Sequence, residues 1–330
     1  MRIKKNYVAL FLTLLVFYSF PKWVSGQDYS WWNTHQNWDG VTTWDNYMIF
    51  SPAYFGPNAL PVPFSEKGKV QNRIFIRFYT DAHFHPGDKT QDVGGRLYVP
   101  VINGVIAVEA WGIIQEHYQM TEEEAIKRRI RNQKAGGFAV GDAYFATVFN
   151  ILKNRKFPDM AFRIGLRTAS GGKLDDARYT DAPGYFFDLS LGKDLDMGMK
   201  NHIRLYGMLG FYSWQTNLPN NRQDDAVLYG LGTDFHFGKN MLGVSMSGYS
   251  GYFGNRTLII INPKKPVVFK DRPLVLRLKY THWLGNWKLG VRYQSGLHDF
   301  QYQTVRLEIS YYLSENFLKF NKKKNSHHGS

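Results

Sequence analysis

Charged side chains occur only on alternate positions of the segment RIFIRFYTDAHF, residues 73–84. Arg73, Arg77, Asp81 and His83 share one parity, and apolar residues hold most of the other. Because successive side chains of a strand point to opposite faces of a sheet, the segment predicts a strand with one charged face and one apolar face. Such charged groups either form salt bridges with one another or bind charged and polar solutes.

The charged parity continues through later segments, and its basic residues outnumber its acidic ones. The basic residues are Arg73, Arg77, Arg96, Arg163, Arg167, Arg204, Arg277, Lys279, Lys288, Arg292 and Arg306; the acidic residues are Asp81, Glu109, Asp142, Asp188, Asp234 and Glu308. Arg163 and Arg167 can form salt bridges across neighbouring strands with Asp142 and Asp188. A guanidinium group without a partner is costly to bury unless water or an anion reaches it. Two interpretations stay open, a salt-bridged filling and a solute path.

Period-two alternation repeats along the chain in segments that can position these charges. The predicted strands are 72–84, 92–101, 105–119, 138–151, 159–170, 183–193, 201–215, 225–238, 240–252, 272–284, 286–298 and 303–313. Most are long enough to cross a bilayer at a tilt, and their number is even, as in bacterial single-chain barrels.

The connections between these strands are alternately long and short. The long set includes QMTEEEAIKRRIRNQKAGG and FGNRTLIIINPKKPVVFKD, and the short set includes ING, GK and GN. Outer-membrane barrels alternate long extracellular loops with short periplasmic turns, whereas a Greek-key sandwich does not sort its loops in this way. The sequence therefore predicts an all-β fold, a twelve-stranded antiparallel transmembrane β-barrel with lipid on its apolar face and the charges in its lumen.

The chain divides into four predicted parts. Residues 1–26 have the basic start, apolar core and small residues of a cleaved signal peptide. Residues 27–71 form an irregular leader rich in Trp and Pro, residues 72–313 the barrel, and residues 314–330 a basic periplasmic tail. We expect the protein in the outer membrane of a Gram-negative bacterium.

Composition limits the partners of the exported chain. The formal net charge is +14, and removal of Arg2, Lys4, Lys5 and Lys22 with the signal lowers it to +10. An exported chain meets little nucleic acid, so outer-membrane lipids, small anionic solutes and other outer-membrane proteins are the expected partners. The chain has no Cys, which excludes disulfides and thiol chemistry. No cofactor is expected.

Two stretches resemble known outer-membrane barrels. DMAFRIGLRTASGGKLDDARYTDAPGYFFDLSLGKDL, residues 159–195, resembles the strand–loop–strand signature of the barrel family named for the meta-pathway of phenol degradation. WNTHQNWDGVTTWDNYMIFSPAYFGPNALPVP in the leader resembles the N-terminal stretch of barrels from the Bacteroidota. The first resemblance implies passage of small solutes, and the second implies location. The charged lumen departs from the hydrophobic solutes expected of the phenol-pathway family.

Other chemistry has weaker support in the sequence. His83 and His85 share one face of a strand end, yet no third ligand is placed with them, so no metal site is expected. No Ser–His arrangement lies on the lipid face, so no catalytic residue and no enzyme activity are expected. The segment from Thr121 to Gly136 begins as a capping box and predicts a helix in the second long loop.

Two functional hypotheses follow from this predicted barrel. The first is a narrow channel or binding path for small anionic or polyhydroxyl solutes. Barrel closure makes the last strands neighbours of the first, so Arg277, Lys279, Lys288, Arg292, Arg306, Arg73 and Arg77 should line one wall, against only Glu308 and Asp81. The alternative is a non-conducting accessory subunit of an outer-membrane assembly. Trp31, Trp32, Trp38 and Trp44 either plug the lumen by stacking on Arg or anchor at the membrane interface.

Overall fold

The barrel wall is one antiparallel sheet that closes on itself. The computed structural model describes residues 28–102, 104–133, 135–153, 156–198, 201–217, 222–253 and 269–313. The strands are β1 Phe75–His85, β2 Asp88–Ile102, β3 Ile106–Met120, β4 Gly136–Ala139, β5 Ala143–Leu152, β6 Asp159–Arg167, β7 Gly184–Gly198, β8 Asn201–Gln215, β9 Arg222–Phe237, β10 Asn240–Phe253, β11 Phe269–Asp271, β12 Leu274–Leu284, β13 Trp287–His298 and β14 Gln303–Tyr312. The predicted signal peptide and C-terminal tail lie outside the described residues.

These strands occupy twelve wall positions, as the sequence predicts. β4 and β5 both pair with β3, and β11 and β12 both pair with β10, so each of these two pairs is one interrupted wall strand. Closure occurs between β1 and β14, in a register that places Phe75 opposite Tyr312 and Asp81 opposite Arg306. The fold is therefore a closed twelve-stranded antiparallel barrel in which β12, β13, β14 and β1 are consecutive.

Apolar side chains cover the outside of the barrel, and charged side chains lie inside. Ile114 is 58% exposed and Leu209 63%, whereas Arg163 is 3% and Glu308 5% exposed. This pattern is the reverse of a water-soluble sheet, and it is the pattern of strands that face lipid on one side and a polar lumen on the other. The apolar parity predicted to face lipid is the outward parity of this transmembrane barrel.

The two ends of the barrel differ in their connections. We call the end with the connections 103–105, 153–158, 199–200, 238–239 and 285–286 the turn end, and the opposite end the loop end. At the loop end the β1–β2 connection is only Pro86 and Gly87, shorter than predicted, because the ladder continues to the pair His85 and Asp88. The short helix predicted in the segment from Thr121 to Gly136 is present as Glu122–Lys127 (α2), and Arg129, with a φ of 58°, prevents its continuation.

The leader crosses the lumen from the loop end to the turn end. It contains helix α1, Ser30–Gln36, and a 3-10 turn, Trp44–Tyr47, and neither α1 nor α2 has the length or apolarity to span a membrane. At the loop end, Trp32 Nε1 donates to the Arg129 carbonyl at 2.9 Å. At the turn end, the Gln71 amide donates to the Tyr98 hydroxyl at 2.9 Å.

Apolar leader residues fill the loop-end half of the lumen. Met48, Phe50, Phe55, Leu60 and Val62 are buried in one cluster with inward aromatic residues of the wall, which are Tyr118, Tyr144, Phe186, Tyr212, Trp214 and Tyr249. Aromatic and aliphatic side chains in close contact exclude water from their interface. The leader therefore closes this half of the lumen.

Candidate functional site

Wall arginines donate hydrogen bonds to main-chain carbonyls of the leader. Arg167 Nη1 lies 2.6 Å from the Ala59 oxygen, and Arg277 Nη2 lies 2.6 Å from the Val62 oxygen. Arg163 Nη2 donates to the Phe64 oxygen. Arg204 donates to the Lys67 oxygen through Nε at 3.0 Å and Nη2 at 2.7 Å. We call Arg163, Arg167, Arg204 and Arg277 the arginine ladder, because their contacts follow the leader in sequence order.

The leader also supplies charges that neutralise wall residues. Glu66 accepts from Arg163 Nη1 at 2.9 Å and from Arg96 Nη2 at 3.1 Å, and Lys67 pairs with Asp234. The predicted set of lumenal charges omits both groups, because the leader is treated as a separate segment, but their charges are opposite and leave the net excess unchanged. The predicted set of lumenal acids also omits Asp159 and Asp194, which pair with Arg204 at 3.0 and 2.8 Å.

Gly68 marks the closest approach of the leader to the wall. Its φ is +73°, and a Cβ built on it would lie 2.6 Å from the Asp159 oxygen and 2.7 Å from the Gly192 nitrogen. Only glycine combines this left-handed conformation with such a contact. The leader is thus fixed against β6 and β7 just before it joins the barrel.

Many of the predicted lumenal charges are paired within the wall. Arg163 Nη2 lies 2.8 Å from Asp188, and Arg167 Nε lies 4.0 Å from Asp142, so the two predicted acids are near these arginines. Further pairs are Arg96 with Glu109, through Nε at 2.9 Å, Arg306 with Asp81, through Nε at 2.6 Å, Lys279 with Glu308 at 2.6 Å, and Arg77 with Glu308 at 3.8 Å. This part of the lumen matches the salt-bridged interpretation.

Three cations on the β12–β13 wall have no carboxylate partner among the described residues. Arg277 donates to Gln294, Ser247 and the leader, and its guanidinium lies 4.1 Å from the centre of the Phe64 ring. Arg292, 7% exposed, lies 4.5 Å from the same ring, and its buried Nε has no hydrogen-bond acceptor. Lys288 lies 5.1 Å from the centre of the Trp283 ring.

These cations line a cavity of about 440 Å³ beside the leader. Arg77, Lys279 and Arg306 line it too, and the lining reaches His202 and Trp283 near the turn end. The volume is within the range of about 300–1,000 Å³ that is typical of small-molecule sites. The cavity thus has a surplus of positive charge on one wall and space beside it.

Five predicted site residues lie elsewhere than the sequence suggests. Arg73 precedes β1 at the turn end, where it donates to Asn286 Oδ1 at 2.8 Å and to the Tyr312 oxygen at 3.1 Å.

The four tryptophans lie at the loop end. Trp44 lies 5.2 Å from Arg131 of the second long loop. Trp31 Nε1 donates to Glu122, and Trp38 Nε1 donates to the Thr42 oxygen. The lumen is filled instead by leader residues 48–67, which follow the tryptophans and include a series of turns and bends.

Asp81, His83 and Asp92 form a buried cluster that sequence inspection did not group. One potential ligand atom of each lies within 4.8 Å of the others. His83 Nε2 lies 2.7 Å from Asp92 Oδ2, His83 Nδ1 lies 2.8 Å from Thr304 Oγ1, and Asp81 is paired with Arg306. A guanidinium already satisfies Asp81, so these groups fit a hydrogen-bonded network, and we assign them no ion.

The long loops cover the apolar cluster at the loop end. Arg178 reaches down to Asp88 at 2.6 Å and to Glu116 at 2.7 Å, and Arg128 reaches Asp88 at 2.8 Å. Asp176 accepts hydrogen bonds from the Tyr118 hydroxyl and the Asn132 amide. Burial raises the pKa of the Asp176 carboxyl, and these two hydrogen bonds partly oppose that rise. Buried polar contacts therefore hold the long loops on the barrel wall.

The fold is similar to that of known outer-membrane proteins. An outer membrane channel from Pseudomonas putida F1 matches with 14% identity over 78% of this chain and 98% of that chain, at a TM-score of 0.52. The KdgM porin matches with 10% identity over 72% and 99%, at 0.40, and LpxR from Salmonella typhimurium with 9% identity over 72% and 100%, at 0.43. This is an outer-membrane barrel fold.

Sequence comparisons add no family to this likeness of fold. No protein-family model matches the chain, and no curated protein matches it. The resemblances to the phenol-pathway family and to barrels of the Bacteroidota therefore stay predictions.

Proposed function

We propose that this protein resides in the outer membrane of a Gram-negative bacterium and binds small anionic or polyhydroxyl solutes in its lumen. It reaches the membrane through a cleaved signal peptide, and it conducts these solutes when the leader is displaced. One observation carries the proposal: Arg277, Lys288 and Arg292 line the cavity without a carboxylate partner among the described residues. A buried cation of this kind is stabilised when an anion or water reaches it.

The arrangement favours recognition by charge over chemical conversion. Arg292 presents a planar guanidinium with a free Nε, and Lys288 presents an ammonium group, so a carboxylate or phosphate has donors on one wall. The rings of Phe64 and Trp283 lie beside these cations and offer apolar faces to a ring-shaped solute. We propose no catalytic role for any of these residues.

The test is the ion selectivity of a barrel that lacks residues 28–62, because the intact leader closes the loop-end half. Reversal potentials across a planar bilayer with a KCl gradient should show anion preference. Replacement of both Lys288→Gln and Arg292→Gln should reduce that preference or reverse it. The single variant Lys288→Gln should reduce it less, and its matched control Lys239→Gln, which removes one positive charge at an exposed turn outside the cavity lining, should leave it unchanged. Cation preference in the unsubstituted barrel would contradict the proposal.

The packing of the leader inside the lumen favours a second candidate, a non-conducting accessory subunit of an outer-membrane assembly. In that case the leader is permanent filling, and the loop-end surface is the part available to other proteins. The apolar cluster of Met48–Val62 with wall aromatics is the observation that supports it. Conductance of the intact protein in planar bilayers separates the two candidates, because only the channel requires the leader to leave the lumen.

A further inference from the structure

The N-terminal part of the described chain lies at the loop end of the barrel. Trp31 Nε1 donates to Glu122, Trp32 Nε1 to the Arg129 oxygen, and Gln36 Nε2 to the Ile126 oxygen, all on or beside α2. Arg131 of the same loop lies 3.5 Å from the Tyr29 ring centre and 5.2 Å from that of Trp44. Residues 28–47 are thus packed on the long loops, and we call them the outer segment.

The barrel itself begins and ends at the opposite end. β1 starts at Phe75 and β14 finishes at Tyr312, and these two residues are paired with each other at the turn end. In outer-membrane barrels the short turns face the periplasm and the long loops face the outside. The described chain therefore starts outside the membrane and enters the barrel wall from the periplasmic side.

The leader connects these two ends by a single passage through the lumen. Its contacts with the wall progress in order from Ala59 through Val62 and Phe64 to Lys67 and Gln71. If the chain is exported to the periplasm, as proposed above, its N-terminal segment has to cross the membrane to reach this arrangement. The lumen is the path that the leader occupies in the structure.

The arginine ladder suits such a passage. Each of its four members donates to a main-chain carbonyl, a group that every residue of a polypeptide presents, and Arg163 also donates to the Glu66 side chain. The carbonyl contacts do not depend on the leader sequence, so they can pass from one carbonyl to the next as the chain moves. The apolar cluster of Met48–Val62 then holds the segment once it is in place.

We propose that the barrel translocates its own N-terminal segment and displays residues 28–47 at the outer surface of the cell. This inference does not rest on the proposed solute specificity, because it concerns the path of the chain and not the contents of the cavity. Val41, 86% exposed, is the most accessible apolar residue of the outer segment. The display makes this segment available to molecules outside the cell.

The absence of Cys from the sequence allows a direct test by single-cysteine labelling. Val41→Cys is treated with a membrane-impermeant maleimide on intact cells and on permeabilised cells. Gly172→Cys serves as the loop-end control, since a Cβ there meets nothing within 4 Å, and Lys239→Cys in an exposed turn serves as the turn-end control.

We expect Val41→Cys and Gly172→Cys to be labelled to the same extent before and after permeabilisation. Lys239→Cys should lose its labelling on intact cells. If Val41→Cys behaves like Lys239→Cys, the outer segment lies in the periplasm and the inference is overturned.

A second variant keeps the test decisive if Val41→Cys fails to assemble. Ser30→Cys exchanges only oxygen for sulfur at an exposed position of α1. Assembly of each variant is verified by the heat-dependent gel mobility of the folded barrel. Labelling of assembled Ser30→Cys on intact cells supports the inference, and labelling only after permeabilisation overturns it.

Discussion

The wall arginines perform three different tasks that residue type alone does not distinguish. Arg167 and Arg204 hold leader carbonyls, Arg306 is paired with Asp81, and Arg292 has no carboxylate partner among the described residues. The three tasks respond differently to substitution. A paired arginine leaves an uncompensated buried carboxylate when it is removed, whereas an unpaired one leaves none.

At the residue scale, we predict that Arg306→Gln strongly destabilises the barrel. The Asp81 side chain is fully buried, and breaking such a pair on one side costs about 3–5 kcal/mol in the free energy of unfolding. The double variant Asp81→Asn with Arg306→Gln should recover much of this loss, since no charge is left alone. Urea unfolding of the two single variants and the double variant measures the coupling. Additive effects in this cycle would show that the two groups do not stabilise each other.

The leader occupies the lumen in two parts that are held by different contacts. Its apolar half, Met48–Val62, packs on wall aromatics, and its polar half, Phe64–Gln71, is held by hydrogen bonds and ion pairs. These two halves have separate effects on the barrel. Removal of the apolar half opens the loop end, while the ion pairs of Glu66 and Lys67 remain to neutralise the wall.

At the element scale, we predict that deletion of residues 28–62 raises single-channel conductance and leaves the barrel folded. The twelve wall strands pair with one another without the leader, so the ladder of hydrogen bonds persists. Conductance in planar bilayers and heat-dependent gel mobility measure the two outcomes. A deletion that also removes Glu66 and Lys67 should lower stability further. Unchanged conductance in a folded deletion variant would show that the leader does not close the lumen.

Across the whole molecule, charge is distributed unevenly around the lumen. Arg277, Lys288 and Arg292 lie on neighbouring strands β12 and β13, while Asp142, Asp188 and Asp234 lie on β7, β9 and the connection between β4 and β5. The acids on that side are engaged, Asp188 by Arg163 and Asp234 by Lys67. A narrow lumen with one positive wall concentrates anions along that wall.

At the scale of the whole molecule, we predict that the anion preference of the leader-deleted barrel weakens as salt concentration rises. Screening acts over about 30 Å at 0.01 M salt, about 10 Å at 0.1 M and about 3 Å at 1 M, so the wall field spans the lumen only in dilute salt. Reversal potentials at a constant concentration ratio but increasing total salt measure the effect. A preference independent of salt would indicate selection by direct coordination instead of by the field.

The path and contacts of the leader could not be predicted from the sequence. Pro52, Pro57, Pro61 and Pro63 give the leader an irregular backbone with no period, so no local rule assigns its contacts. Glu66 and Arg163 are separated by 97 residues, and their pairing exists only when the leader lies in the lumen. The predicted set of lumenal charges therefore omits Glu66 and Lys67, and Trp31 and Trp44 of the predicted plug contact the second long loop.

The sequence by itself determined the twelve strands, their two faces and the closure of the last strand on the first. Each of these depends on period-two alternation and on connection length, which are local properties of a chain that lies between lipid and a polar lumen. Only the tertiary structure decided which cations keep a carboxylate partner and which segment fills the lumen. The physical reason is that ion pairing depends on a few ångströms of distance between groups far apart in sequence, and the leader sets those distances.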